Sequence, residues 1–478
     1  MKILNFNASP KDLIHIVGIG GVGMSGLAKI LKEFNIPIQG SDLTNNIHVE
    51  ALREIGIKVF IGHKKNNITN CNLLVKSSAI DPNNIEVQEA LKNSIPVVSR
   101  AVLLYSMIKK DYNICITGSH GKTSTTALIY SLLRNINLDP TVICGGVIDF
   151  IDSNVYKGRD FINIVESDES DGTFILIPSD ISIITNLDNE HLDYYGSFQN
   201  LMEVTRIYIQ KSLLKDLVVA CNDCNILKSI NKYFFSNSNF ISYGINSKKV
   251  DVRAINILSV ESGTKFDLIF SNKAKKLLTQ CTNVIKNINL KTNGIHNILN
   301  AIAGIIVYLF KGGKEYSLNK HLKNNYEVHR RFSFLGKINN ITFIDDYAHH
   351  PNEIKATLSA VRERTDRIMK NTIAIFQPHR YSRFRELYEE FLLSFYSAHH
   401  LIVLDVFPFS LLESHKFLVQ LFIKDIRINF ANVYYAKNVD ILKSIILTLS
   451  SRGDYIVFMG AGSITNIAKN IFNQLKKD

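Results

Sequence analysis

The sequence predicts an α/β protein of three domains, each a mainly parallel sheet with flanking helices. Three observations predict it. Three segments each open with a short apolar strand, pass through a loop and enter a helical stretch: LIHIVGIGGVGMSGLAKILKEF, YNICITGSHGKTSTTALIYSLLRN and ITFIDDYAHHPNEIKATLSAVRER. Strand-like and helix-like patches alternate between these openings. The chain, at 478 residues, is also too long for one hydrophobic core. The stretch IPVVSRAVLLYSMIKKDYN places one boundary near 108, and NKHLKNNYEV before RRF places another near 327. The expected domains are 1–108, 109–327 and 328–478.

Composition narrows the class. Hydrophobic residues are 46% and charged residues 21%, as in a soluble globular protein. The N-terminal MKILNFNASPKD lacks a signal-peptide core, and Ile298 to Phe310, interrupted by Asn300, falls short of the roughly 20 residues that span a membrane. A cytoplasmic protein without a membrane partner is expected. The net charge of +12 comes from dispersed lysines and arginines with no run of five, so no nucleic-acid partner is expected. Of six cysteines only Cys221 and Cys224 form a CxxC, with no second pair to complete a zinc site, and they read as small residues after a buried strand.

In the first opening Gly18, Gly20 and Gly23 make G-x-G-x-x-G after the strand LIHIV, with a helix expected from near Met24. Such glycines let the backbone turn tightly and approach a diphosphate at the helix N-terminus. A second strand, IPIQG, ends in Ser41-Asp42, which places an acid where a ribose hydroxyl would lie. Taken alone, this opening also fits an NAD-dependent dehydrogenase.

The second opening carries Thr117-Gly118-Ser119-His120-Gly121-Lys122-Thr123, a phosphate loop two residues shorter than G-x-x-x-x-G-K-[ST]. Backbone N–H groups from Gly118 to Lys122 are expected to cradle phosphates, with Lys122 at the β/γ oxygens and the Thr123 hydroxyl on Mg²⁺. Glu166, at the polar end of FINIVE, and His191, after ISIITNLDNE, are the further candidate cation ligands. A dehydrogenase leaves these groups without a task. A nucleotide-dependent switch explains the loop but not a third domain.

In the third opening Arg330-Arg331-Phe332 precedes Asp345-Asp346-Tyr347-Ala348-His349-His350-Pro351, and a strand IAIF leads into Gln377-Pro378-His379-Arg380-Tyr381-Ser382-Arg383. Arg380 and Arg383, three apart, share a face if the segment is helical, and paired guanidinium groups suit a carboxylate.

GSHGKTS, ESDESD, NEHLDYYGSF and GIHNILNA, in that order and spacing, resemble the central domain of the Mur ligases, and the likeness covers nearly the whole chain. The resemblance implies a Rossmann-like N-terminal domain, a P-loop ATPase central domain and a Rossmann-like C-terminal domain. It further implies ATP on Gly118, Ser119, His120, Gly121, Lys122, Thr123 and Ser124, with His296, Asn297 and Asn300 near the adenine. Arg331 and Asp346 contact the nucleotide in this likeness, and Mg²⁺ sits on Thr123, Glu166 and His191. The N-terminal GIGGVGMSGLA and GSD resemble the branch that joins L-alanine to UDP-N-acetylmuramic acid. That places the UDP-substrate on Gly18, Gly20, Gly21, Gly23, Ser41 and Asp42, and L-alanine near Tyr347, His349, Arg380 and Arg383. The alternative within the family is the murein-peptide recycling ligase, which typically carries a cysteine in this loop. Lys122, Glu166 and His191 are then the catalytic candidates. Two departures stand out. Phe-Pro-Phe-Ser-Leu-Leu follows Val406 where the family has a Gly/Glu loop, and Arg206 occupies a position that is a carbamylated lysine in several relatives.

Overall fold

The computed structural model describes residues 12–77, 79–169, 172–188, 192–260, 263–278, 281–323, 328–407 and 413–477. These form two compact units. The first holds the described residues up to 323, apart from those of 259–264 and 292–296, which group with the second unit from 328 onward.

The first unit carries two sheets. The N-terminal sheet has five parallel strands in the spatial order Lys58–Ile61, Ile38–Asp42, Ile14–Val17, Leu73–Lys76, Val97–Ser99. The chain's first strand is therefore central and marks the point where strand order reverses, the place where ligands gather in such sheets. Its four residues are all buried, as expected for a strand covered on both faces. The helix Val22–Glu33 follows, two residues earlier than the sequence suggests, and packs Met24, Leu27, Ile30 and Leu31 against the sheet.

The central sheet has ten strands, and Tyr112–Thr117 lies inside it between Ile181–Ile184 and Ile162–Glu166, parallel to both. Thr117 pairs with Ile184, and Ile116 with Glu166, so three strand ends meet at one edge. From there Lys122–Arg134 runs as a helix buried along most of its length. Its buried Ala127, Leu128, Ile129, Leu132 and Leu133 fix it against the sheet, where each fully buried Leu or Ile contributes about 1.5–3 kcal/mol.

The second unit holds a six-stranded sheet in the order Ser333–Ile338, Ile341–Asp346, Tyr455–Met459, Thr372–Phe376, His400–Val403, Val433–Tyr435. Only the first pairing is antiparallel. One face packs an aromatic cluster of Phe376, Phe384, Phe391, Phe395 and Phe422, all essentially inaccessible. The other carries Phe343, Ile375, Phe458 and Ile471. Asp346 and Phe376 both pair with Met459, which brings the third opening and the QPHRYSR segment to the same sheet edge.

Among the described residues, no helix is long and apolar enough to cross a membrane.

Candidate active site

Each opening ends at the carboxyl edge of its sheet, and what lies there differs.

At the first, Gly18 takes φ +77°, where a side chain would strain the backbone. A Cβ at Gly20 would lie within 2.9 Å of Asn46, Val49 and Asp42, and one at Gly23 would lie 2.5 Å from the Arg100 guanidinium. Gly21 has no such neighbour and precedes the helix as its extended N-cap. Asp42, expected at a ribose hydroxyl, accepts from the Gly20 N–H at 2.9 Å and from the Thr44 N–H at 3.2 Å, so it also shapes the loop. Ser41 is fully buried and donates its hydroxyl to Glu86, so this side chain faces the interior rather than a ligand.

At the second, Gly118 and Gly121 take φ +127° and +79°. A Cβ at Gly121 would sit 2.5 Å from Asn300 Oδ1, so the GIHNILNA helix closes directly on the phosphate loop. The loop is gripped from the strand end after Ile184. Thr185 Oγ1 and Asn186 Nδ2 donate to His120 O at 2.6 and 2.9 Å, and the Asp188 N–H donates to Ser119 Oγ at 2.9 Å. The His120 N–H, expected in the phosphate cradle, here donates to Asn186 Oδ1 at 2.7 Å. Ser124 is half-buried in the first helical turn.

Lys122 Nζ donates to Gly118 O at 2.6 Å and to Glu169 Oε2 at 2.7 Å, with Asp168 at 3.9 Å. Burial alone would push its pKa down, but the carboxylates of Glu169, Asp168 and Glu166 raise it above the ordinary lysine value. The lysine is held as a cation. Thr123 Oγ1 donates to Glu166 Oε1 at 3.0 Å, and Gly145 N–H donates to Glu166 Oε2 at 2.6 Å. A hydroxyl and a carboxylate side by side are hard oxygen donors, the chemistry Mg²⁺ selects. His191 lies outside the described residues, and the strand expected to end at it ends at Ile184. Arg206 pairs with Glu203 on an exposed helix face, its Nη2 2.6 Å from Glu203 Oε1.

At the third, Asp346 is buried and accepts from the N–H groups of Phe332 and Ala348, both at 2.7 Å. Burial pushes its pKa up to about 6, against the opposing charge of Arg331. Arg330 and Phe332 adopt φ +61° and +57°, unusual for such side chains, so the backbone around Arg331 is strained into place. The guanidinium carbons of Arg330 and Arg331 lie 4.8 and 5.3 Å from the Tyr347 ring centre, and Arg331 pairs with Glu353 at 3.3 Å. His296 is pushed down to about 4 by burial, with the Arg331 charge adding to it, and Asn297 beside it is half-buried.

His349 packs edge-on to Tyr347 and to His379, with ring centres 5.1 and 6.1 Å apart. Burial drives both histidines down to about 4; the Arg383 charge adds to this at each, while Glu353 opposes it at His349. Arg383 lies in the helix Tyr381–Glu386, whereas Arg380 precedes it at φ +63° and donates its N–H to Phe407 O at 2.7 Å. The expected shared helical face is therefore corrected, because only Arg383 is helical. Phe407 opens the departing loop and stacks on His379, with ring centres 6.1 Å apart and 13° between planes. Residues 408–412 lie outside the described residues.

Sequence reasoning missed Glu169, Asn186 and Glu353. Glu169 stood in the quoted ESDESD, three residues after Glu166, but nothing local said that it would reach Lys122.

Three family descriptions match the chain in order: "Mur ligase family, catalytic domain" over residues 13–112, "Mur ligase middle domain" over 116–308 and "Mur ligase, glutamate ligase domain" over 330–462. The chain is 41% identical over 471 residues to the UDP-N-acetylmuramate–L-alanine ligase of Rickettsia bellii, covering 96% of each. Among solved structures it resembles the UDP-N-acetylmuramate-alanine ligase of Thermotoga maritima at TM-score 0.79 and 26% identity, covering 97% of this chain and 99% of that one. The fold is also that of a murein peptide ligase from Psychrobacter arcticus, at TM-score 0.69 and 19% identity, covering 98% and 99%.

Proposed function

The chain belongs to the Mur ligase family, and from that premise we propose that it joins L-alanine to the carboxylate of UDP-N-acetylmuramic acid with ATP, in peptidoglycan precursor synthesis in the cytoplasm. The observation that carries the substrate choice is the 41% identity across essentially the full length of a relative bearing that activity in its name. The domain limits near 108 and 327 and the residue roles below belong to the same reading.

The reaction has two steps. The muramic acid carboxylate attacks the γ-phosphorus of ATP, giving an acyl phosphate and ADP. The amine of L-alanine then attacks the acyl carbon, the single C–O bond to phosphate breaks with its electron pair leaving on the phosphate, and the amine loses a proton. Lys122, held as a cation between Gly118 O and Glu169, stabilises the charge that develops on the transferred phosphoryl group. Thr123 and Glu166, joined by His191, would hold Mg²⁺, which supplies further charge neutralisation at the β/γ oxygens. Gly18, Gly20, Gly21 and Gly23 give the diphosphate of the other substrate a close backbone approach, and Asp42 holds that loop. Tyr347, His349, Arg380 and Arg383 receive L-alanine, and Arg331 and Asp346 meet the nucleotide.

The test is ADP and phosphate release from purified enzyme with UDP-N-acetylmuramic acid and L-alanine supplied together or singly. Release that needs both, with an alanyl product by mass, is expected. Release driven equally well by a murein tripeptide in place of L-alanine would assign the chain to recycling instead.

A further inference from the structure

Glu86 is fully buried, an expensive place for a carboxylate. It stands in the first turn of the helix Ile85–Lys92, capped by Asn84, whose side chain accepts from the Glu86 and Val87 N–H groups. Its two oxygens gather groups from three other parts of the domain. Oε2 accepts from Ser41 Oγ at 2.5 Å and lies 3.3 Å from His15 Nε2 and 3.2 Å from His63 Nδ1. Oε1 accepts from the Lys64 N–H at 3.2 Å and from Asn67 Nδ2 at 2.5 Å. A carboxylate offers about four lone-pair sites, so this one is saturated. Packing alone would be served as well by an apolar side chain of similar size.

The network leads to one place. Ser41, whose hydroxyl goes to Glu86, accepts through its backbone carbonyl from the N–H groups of Gly18 at 2.8 Å and Ile19 at 3.1 Å. The next residue, Asp42, accepts from the Gly20 N–H through its side chain and from the Gly62 N–H through its carbonyl at 2.8 Å. Three consecutive amides of the glycine loop thus hang on Ser41 and Asp42, and Ser41 hangs on Glu86.

We propose that Glu86 is a positioning residue for the UDP end of the substrate, setting the glycine loop through Ser41 and Asp42. This rests on the reading above that the loop binds the UDP-sugar. Gln at 86 keeps the size but turns an N–H₂ toward groups that are themselves donors, so at least one contact becomes donor to donor and the strand end carrying Ser41 shifts.

The experiment compares full-length wild type, Glu86→Gln, Ser41→Ala and the double variant. Steady-state constants for each substrate, the affinity for UDP alone by calorimetry, and Tm are measured. Each single variant should raise KM for UDP-N-acetylmuramic acid and Kd for UDP on the order of tenfold, the effect of about one charge-assisted hydrogen bond. KM for ATP and L-alanine should stay within about twofold. The double variant should be no worse than Glu86→Gln, because both act on one path. A lowered Tm with unchanged UDP affinity, or an equal rise in all three KM values, overturns the proposal. Should Glu86→Gln fail to fold, Ser41→Ala, which removes one hydroxyl, decides alone: unchanged UDP affinity there is fatal. Failure of the functional reading looks different, since the wild type itself would then not couple ADP release to this substrate pair.

Discussion

Lys122 is surrounded by more negative charge than it can neutralise alone, with Glu169 at 2.7 Å, Asp168 at 3.9 Å and Glu166 further off. That excess suits a site built to receive Mg²⁺ together with a polyphosphate. Lys122→Ala should therefore keep the fold, measured by circular dichroism, and lower ADP release on the order of 10³-fold or more. Near-normal turnover would remove the loop from the chemistry. Glu166 receives the Thr123 hydroxyl and the Gly145 N–H, and neither contact needs a metal. Its role shows in the cation dependence: Glu166→Ala should move the magnesium titration of activity to higher concentration, as should His191→Ala. Unchanged titrations for both would mark the two as structural.

At the scale of elements, the strand-to-helix openings were legible because their signals are local: an apolar run, glycines at fixed offsets, then helical periodicity. The partners that make them a site were not. Glu169 lies 47 residues from Lys122, Asn186 lies 66 from His120, and Glu86 lies 45 from Ser41. Each pairing exists only because parallel strands bring distant chain ends to one edge. The helix limits show the same thing. The QPHRYSR spacing suggests one helix, but the Arg380 N–H is committed to Phe407 O and its φ is positive, so the helix starts one residue later. Arg380→Ala and Arg383→Ala should each raise KM for L-alanine on the order of tenfold or more, with small effects on ATP, because the carboxylate is that amino acid's main handle. Lysine should rescue poorly, lacking the planar fork. Arg380→Gly separates charge from backbone, since glycine accepts the positive φ without strain. A Gly variant with ordinary KM, or losses chiefly for ATP, would move these arginines out of the alanine site.

At the scale of the whole molecule, the two compact units give an internal control that a single unit would lack. Glu86 lies in the first unit, and its hydrogen bonds with His15, Ser41 and Asn67 outweigh burial and hold its pKa down at about 2, against an ordinary 4.5. Between those values the folded form keeps the carboxylate ionised while the unfolded chain binds a proton. Stability from this group is thus fully present above pH 4.5 and is lost as pH falls toward 2, a difference on the order of 3 kcal/mol. Other carboxylates titrate in the same range, so the informative quantity is the gap between wild type and Glu86→Gln. Urea unfolding from pH 6 to pH 3, read by two probes that report one unit each, should show that gap widest near pH 6 and closing as the acid limb is entered. The transition of the unit from 328 onward should be the same in both proteins at every pH. A gap that stays constant from pH 6 to pH 3 would mean that Glu86 is no more acidic folded than unfolded. The hydrogen bonds gathered on it would then favour its charged form no more than water does.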